Sequence, residues 1–312
     1  VTVGANRNPA FPIGEHSRIQ SDMKRTLLTL GHGYSARVLA RHLVESGWRV
    51  IGTTRTGEEA AKLADTGVEI HVWPGCELRP LLAQATHVLL SAGPGESGDP
   101  FLPHVSEMLC ERPPQWLGYL STVGVYGDHE GGWVDETTPL TPSTRRGKLR
   151  VEAEQAWQDL AAKGNLPLHI FRLAGIYGPG RGPFAKLRAG TARRIIKPGQ
   201  VFSRIHVEDI AQVLVASMKR PDPGAVYNVC DNDPAPPQDV IAHAAELLGL
   251  PVPPDTPFED ADFSPMARSF YAESKKVRND RIREELGVNL RYPDYRSGLA
   301  ALLTAEEAQA EK

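Results

Sequence analysis

The feature that most constrains this chain is a rhythm. Between Arg25 and Gly175, six short and nearly continuous apolar runs alternate with amphipathic or polar stretches: RTLLTL (25–30), WRVIGTT (48–54), VEIHVW (68–73), THVLLSAG (86–93), WLGYLST (116–122) and LPLHIFRLAG (166–175). A strand without polar alternation has both faces covered, which is the situation in a parallel sheet flanked by helices. The first intervening stretch, SARVLARHLVESG, places Ala36, Leu39, Ala40 and Leu43 on one helical face, with Gly47 as its stop. The pattern predicts an α/β fold built on a doubly wound parallel sheet.

After Gly175 the rhythm breaks into a segment rich in Gly, Pro and basic residues. A helix (VEDIAQVLVASM), a strand (AVYNVC) and a second helix (PQDVIAHAAELLGL) follow, then a loop-like stretch (PVPPDTPFEDADFSP) and a short charged helix over SKKVRNDRIREELG. The division expected is a disordered leader over residues 1–23, a sheet domain over 24–175, and a smaller lobe over 176–312 interleaved with the sheet domain's last strands and helices. The leader is polar and lacks the apolar core of a signal peptide. A net charge of -3 argues against broad nucleic-acid binding. No apolar run approaches the roughly 20 residues that span a bilayer. Cys76, Cys110 and Cys230 lie far apart without metal-type spacing, and reduced thiols in a cytoplasmic protein are the expectation.

Between the first strand and first helix stands GHGYSA (31–36), a G-x-G-x-x-A turn. Glycines there allow close backbone approach to a pyrophosphate, and the helix N-terminus adds oriented N–H groups and partial positive charge. Gly31, Gly33, Tyr34, Ser35 and Ala36 are therefore assigned to dinucleotide binding, with Ser91, Ala92 and Gly93 after the fourth strand. The second strand ends in Thr54-Arg55, where an NAD site usually carries a carboxylate for the ribose 2′-hydroxyl. An arginine there suits a 2′-phosphate. NADP is favoured over NAD, the alternative being that Arg55 is merely an exposed loop residue. His32 is a candidate for a weak further contact.

A further helix opens at TPSTRRGKLRVEAEQAW (141–157), capped by Ser143 or Thr144, and carries Arg146 and Arg150 on one face. By itself this is equally a solvated face, with an Arg150–Glu154 pair worth a few tenths of a kcal/mol.

Six blocks taken together bear on the choice: GHGYSA, STVGVYG (121–127), RGKLRVEAE (146–154), FRLAGIYGPGR (171–181), RIHVEDIA (204–211) and VYNVCD (226–231). In that order the chain resembles an extended short-chain dehydrogenase/reductase of the NAD(P)-dependent epimerase/dehydratase type. The resemblance implies a Rossmann domain with a small C-terminal substrate lobe, substrates that are often nucleotide sugars, and homodimers as a family-level expectation. It also implies a reaction centre of a Ser/Thr, a tyrosine acting as general acid/base and a lysine that lowers the tyrosine pKa. The hydroxyl falls on Thr122, but the tyrosine position holds Arg146 and the lysine position Arg150. Tyrosine, near pKa ~10, can be brought into range by a cation, whereas arginine stays protonated. Arg146 can hydrogen-bond an oxyanion, carboxylate or phosphate but cannot exchange a proton in the usual way.

Tyr126 is a candidate replacement acid, and Tyr177 a second one or a pocket wall; both are also readable as structural, as is His206. On the substrate side, Arg181, Lys186, Arg188, Arg193, Arg194 and Lys197 in the Gly-rich segment, with Arg204, are candidates for an anionic pocket, walled by Trp133 and Phe184. Tyr177, Arg181, Lys197 and Arg204 are the substrate contacts chosen. Two functions stay open: an NADP(H)-dependent epimerase/dehydratase-like oxidoreductase acting on an anionic small molecule with atypical proton chemistry, and a catalytically silent NADP(H)-binding sensor that reports to a partner.

Overall fold

The computed structural model describes residues 25–263 and 265–310; the leader expected over 1–23 lies outside the described residues. The first half runs β1 (Thr26–Leu30), α1 (Tyr34–Glu45), β2 (Arg49–Thr54), α2 (Gly57–Ala61), β3 (Glu69–Val72), α3 (Leu78–Leu82), β4 (His87–Leu90), α4 (Leu102–Glu111), β5 (Trp116–Thr122) and β6 (Trp133–Val134). Then come α5 (Arg145–Gly164), β7 (Leu168–Leu173), β8 (Gly175–Tyr177), α6 (Phe184–Arg188), β9 (Arg194–Ile196), β10 (Arg204–His206), α7 (Val207–Lys219) and β11 (Val226–Val229). The chain continues through α8 (Pro237–Leu247), β12 (Asp255–Pro257), α9 (Pro265–Phe270), β13 (Lys276–Val277), α10 (Asp280–Glu284) and α11 (Tyr295–Ala310).

Seven strands form one sheet in the order β3-β2-β1-β4-β5-β7-β11, parallel throughout. The chain winds outward from β1 to β3, crosses back to β4 and winds the other way, so the switch point lies between β1 and β4, where such sheets hold ligands. The apolar runs divide by strand periodicity. In β1, Leu27 joins the core layer that includes Leu39, Phe171 and Leu214, whereas Leu28 and Leu30 join the opposite layer with Val105, Leu109 and Trp157. A third cluster, including Phe184, Leu187, Ala244 and Leu299, is the core of the C-terminal lobe. No helix among the described residues is long and apolar enough to cross a membrane.

Three details depart from the sequence reading. The stretch PVPPDTPFEDADFSP is not all loop, since Asp255–Pro257 is β12, paired with β9. VEIHVW is not covered on both faces: β3 is the sheet edge and its residues are half-buried or exposed. SKKVRNDRIREELG is not one helix. Its start is strand β13, paired with β6, and only Asp280–Glu284 is helical. Val277 is buried while Lys276 is not, so the segment follows strand periodicity, which the flanking Lys275, Lys276 and Arg278 conceal.

Helix α5 is anchored by charge inside the protein. Glu154, 1% exposed, accepts from Arg172 of β7, 5% exposed, with Nη2–Oε2 at 2.8 Å and Nε–Oε1 at 3.2 Å. Ser121 donates to the same carboxylate. Arg172 Nη1 donates to the Tyr126 hydroxyl at 3.0 Å, which donates to Asn228 Oδ1 of β11 at 2.7 Å. One network thus ties α5 to β5, β7 and β11. Removing one member of a buried pair leaves the other charge uncompensated. Glu154→Leu is expected to lower stability in urea denaturation by about 3–5 kcal/mol, and Glu154→Leu with Arg172→Met to recover most of the loss.

Candidate active site

A cleft of about 800 Å³ opens over the carboxyl ends of β1, β4, β5 and β7. At its β1 side lies the glycine turn. Gly33 caps α1 without any side-chain hydrogen bond to the helix N-terminus, and the first turn holds no acidic residue. A Cβ built on Gly33 would meet nothing within 4 Å. Oriented N–H groups therefore face open space, as a diphosphate requires. Gly33, Tyr34 and Ser35 line the cleft there, and Ser91 and Gly93 line it after β4. The residues present fit a pyridine dinucleotide.

The other cofactor candidates stand behind this surface. Gly31, at φ 88°, packs so closely on Ala92 that a Cβ would come within 2.9 Å of its backbone nitrogen. Ala36 is fully buried and packs α1 on the sheet. His32 does not reach the cleft: it is buried, its Nδ1 lies 2.7 Å from the Thr29 hydroxyl, and its ring occupies the space a Cβ on Gly52 would need. Burial, with Arg37 adding, lowers its pKa to about 4, so it is a neutral packing residue. Thr54 is buried, its hydroxyl 3.3 Å from the Thr56 carbonyl. The Arg55 side chain is exposed and has no partner among the described residues. Arg37 hangs from the His32 carbonyl at 3.2 Å, and the His32 N–H bonds Thr53, so a second guanidinium flanks this edge of the turn.

Thr144 caps α5 through the Gly147 N–H at 3.1 Å, and this start places both arginines in the cleft wall. Arg146 is exposed and has no hydrogen bond or ion pair among the described residues. Arg150 donates through Nη1 to the Leu120 carbonyl at 2.8 Å and to the Tyr119 hydroxyl at 3.0 Å, with its guanidinium 5.6 Å from the Tyr119 ring centroid. Its Nη2 reaches the Gly93 backbone, where an added Cβ would lie 3.2 Å away. The solvated Arg150–Glu154 pair does not form, because Glu154 is turned inward to Arg172. Thr122 also lines the cleft and accepts from the Gly124 N–H at 3.2 Å.

Tyr126 is not a site residue. It is 0% exposed, held between Arg172 and Asn228, and burial pushes its phenol up to about 12. Tyr177 does line the cleft, but burial drives its pKa far upward and its hydroxyl faces the Asp294 carbonyl at 3.4 Å. His206 accepts from the Glu208 N–H at the start of α7 and is structural, lowered to about 4 by burial.

The basic segment after β8 mostly turns away. Arg181 lines the cleft, 5.7 Å from the Tyr34 ring. Lys197 instead donates to the Tyr271 carbonyl and lies over Phe258 in the lobe, so it is not a substrate contact. Arg188 pairs with Glu306 and Arg194 with Asp255. Arg204 lines the cleft, its Nη1 bonded to the Phe202 and Ala235 carbonyls at 2.9 and 3.0 Å. Neither Trp133 nor Phe184 is part of the wall. Sequence reasoning missed Glu273 and Lys275, which enter from the segment before β13. Strand periodicity through Lys275, Lys276 and Val277 was the signal available.

The NAD dependent epimerase/dehydratase family matches residues 103–230. Protein YeeZ of Escherichia coli (strain K12) is 31% identical over 290 residues, covering 87% of this chain and 97% of that protein. The chain belongs to the NAD dependent epimerase/dehydratase family. Enzymes of this family are NAD(P)-dependent and oxidoreductase-like. A solved structure described as a functionally unknown conserved protein from Silicibacter pomeroyi DSS shares 62% identity with this chain. Its TM-score is 0.86, over 90% of this chain and 99% of that one. A 3-diazoavenalumate denitrifying reductase from a Streptomyces species is 29% identical over 180 residues, 54% of this chain and 55% of that protein.

Beneath Arg204 lies Asp231, 1% exposed. Its Oδ1 accepts from the Asp233 N–H at 3.2 Å and its Oδ2 has no partner among the described residues. Burial raises its pKa to about 8, against the pull of the Asp233 N–H and Arg204. Between its ordinary value of 3.8 and about 8 the folded state holds a proton that the unfolded state has lost. Stability therefore falls as the pH rises through that window. Urea midpoints measured at about pH 5 and about pH 8 are expected to drop for the parent protein and to differ less for Asp231→Asn.

Proposed function

We propose that this protein is an NADP(H)-dependent oxidoreductase acting on an anionic small molecule, with nucleotide sugars the family's default class and an arginine-based centre in place of the Tyr–Lys pair. One observation carries the reading. Among the described residues, five basic side chains (Arg146, Arg150, Arg181, Arg204 and Lys275) and a single carboxylate, Glu273, line the cleft of a chain whose net charge is -3. Clustering of one sign in a concave site raises the local concentration of the opposite sign and orients it.

The nicotinamide, when bound, supplies or accepts a hydride. Gly33, Tyr34 and Ser35 would hold its diphosphate, and Ser91 and Gly93 would border its nicotinamide half. Arg150, immobilised on Leu120 and Tyr119, keeps a fixed positive charge beside Gly93. Arg146, free of other partners among the described residues, hydrogen-bonds the substrate's oxygen and draws electron density from the atom it is attached to. Such a centre favours reduction of a polarised electrophile over deprotonation of an alcohol. The relative named as a denitrifying reductase supports that direction. NADP is preferred because β2 ends in Thr54 without a carboxylate, and because Arg55 and Arg37 offer guanidinium groups beside it.

The reduced cofactors bind with separable affinities. Titration of nicotinamide fluorescence is expected to show NADPH binding more tightly than NADH, with Arg55→Ala weakening NADPH about tenfold, or 1.4 kcal/mol, and leaving NADH unchanged. An unaltered preference in the variant removes the NADP assignment.

A charge-removing variant, Arg146→Ala, is expected to retain NADPH affinity while losing turnover of anionic carbonyl compounds by about 10²-fold or more, followed through nicotinamide absorbance. Turnover equal to the parent's excludes Arg146 from the reaction centre.

A further inference from the structure

Adding a hydride to a carbonyl compound also requires a proton on its oxygen, and arginine does not release one. Among the described residues lining the cleft, the side chains with a conventional exchangeable acid or base are Tyr34, Tyr177, Glu273 and Lys275. The Tyr34 hydroxyl is committed to the Pro179 carbonyl at 3.0 Å, on the diphosphate side, and burial raises its pKa. Tyr177 is raised far more and faces Asp294. The remaining couple comes from the lobe.

Lys275, 8% exposed, donates to the Gly127 carbonyl at 2.6 Å and to Glu273 Oε2 at 2.8 Å, which leaves one ammonium N–H uncommitted among the described residues. Glu273, 9% exposed, accepts from Ser143 Oγ at 2.7 Å, one residue before the cap of the arginine helix. The backbone around them is clamped. Ser274 N–H bonds Asp128 at 2.7 Å, its hydroxyl bonds Gly199 at 2.8 Å, its carbonyl accepts from His129 and Gly131, and Gln200 bonds the Glu273 carbonyl at 2.7 Å. A buried ion pair is weak evidence of stabilisation, since desolvation offsets its attraction. Such a pair, rigidly supported and opening on a cleft, is suited to chemistry.

We propose that Lys275 is the proton donor of this site, with Glu273 as the residue that positions it. The inference rests on the oxidoreductase reading above. The substrate is a carbonyl compound bearing an anionic group, and the reductant is the reduced nicotinamide. As carbon gains the hydride, the C=O π pair takes a proton from Lys275 Nζ. The N–H bond breaks, the O–H bond forms, and the neutral amine is refilled by a proton from water entering the cleft. Glu273 from the same segment and Asp128 from the loop behind are the carboxylates beside the ammonium, and Arg146 from α5 and Arg204 from β10 line the same cleft.

The test is trace acetylation of the full-length NADPH-loaded protein with acetic anhydride, with the Lys275 peptide quantified by mass spectrometry. Lys275 is expected to be acetylated in the folded protein and protected by pyruvate as a carboxylated carbonyl probe. It is expected to label severalfold faster at the same pH in Glu273→Gln, which removes the carboxylate that the ammonium pairs with. In parallel, Lys275→Met and Lys275→Arg are expected to bind NADPH as the parent does and to lower its turnover on carboxylated ketones and aldehydes by about 10²-fold or more, because arginine keeps the charge without donating. Lys275 that labels only after denaturation, or Lys275→Arg with parental turnover, overturns the proposal. Where no carbonyl compound turns over or a variant fails to fold, labelling of the parent protein decides. Failure of the parent to bind NADPH would instead remove the cofactor reading, a distinct outcome.

Discussion

The site depends on where helix α5 is held, and that is set by a carboxylate buried against a guanidinium. Glu154 sits three turns into the helix and meets Arg172 on the neighbouring strand with almost no exposure. Its second partner, Ser121, is the residue before Thr122, so the same carboxylate that seats the helix also seats the end of β5. Mutual attraction at this depth is strong but directional, and it rewards one placement of α5 above others. With that placement fixed, the first two turns carry Arg146 and Arg150 in the cleft wall. The network's outer members, Tyr126 and Asn228, bring in β11, so a strand from beyond the Gly-rich segment helps hold this wall of the cleft.

With Arg146 and Arg150 near the start of α5, guanidinium groups line that side of the cleft. A phenol can donate and accept a proton; a guanidinium presents fixed donors and fixed charge. Arg150 has become a structural strut as well, bonded to the Leu120 carbonyl and stacked near Tyr119, which pins its charge beside the β4 loop. Arg146 remains uncommitted. The division yields one immobile cation and one available to a ligand, an arrangement suited to polarising an electrophile. Proton supply then has to come from elsewhere, and the lobe segment between α9 and β13 reaches into the same cleft.

The legibility of the chain followed the range of the forces involved. The apolar runs, the glycine turn and the capped start of α5 are local signals, and each was readable. The ring of His32 was not: it looked available to a ligand, yet it fills the gap over Gly52 because a strand neighbour lacks a side chain there. Lys197 and Arg194 were read with Arg181 as one basic overhang. Their directions are decided by Tyr271, Phe258 and Asp255, more than fifty residues away in sequence. Tyr126 is a candidate acid in sequence because it follows β5, and partners on β7 and β11 that no local pattern announces take it out of that role.

The residues alone determined the parallel α/β class, the glycine turn and the two arginines near the start of α5. These follow from strand and helix periodicity, from the glycine spacing and from residue identity, all of which act over a few positions. Only the tertiary structure decided which basic side chains share the cleft, that Tyr126 lies behind it, and that Glu273 and Lys275 enter it. Those outcomes depend on burial and on pairing between groups distant in sequence, where a charge is stable only in the company the completed fold supplies.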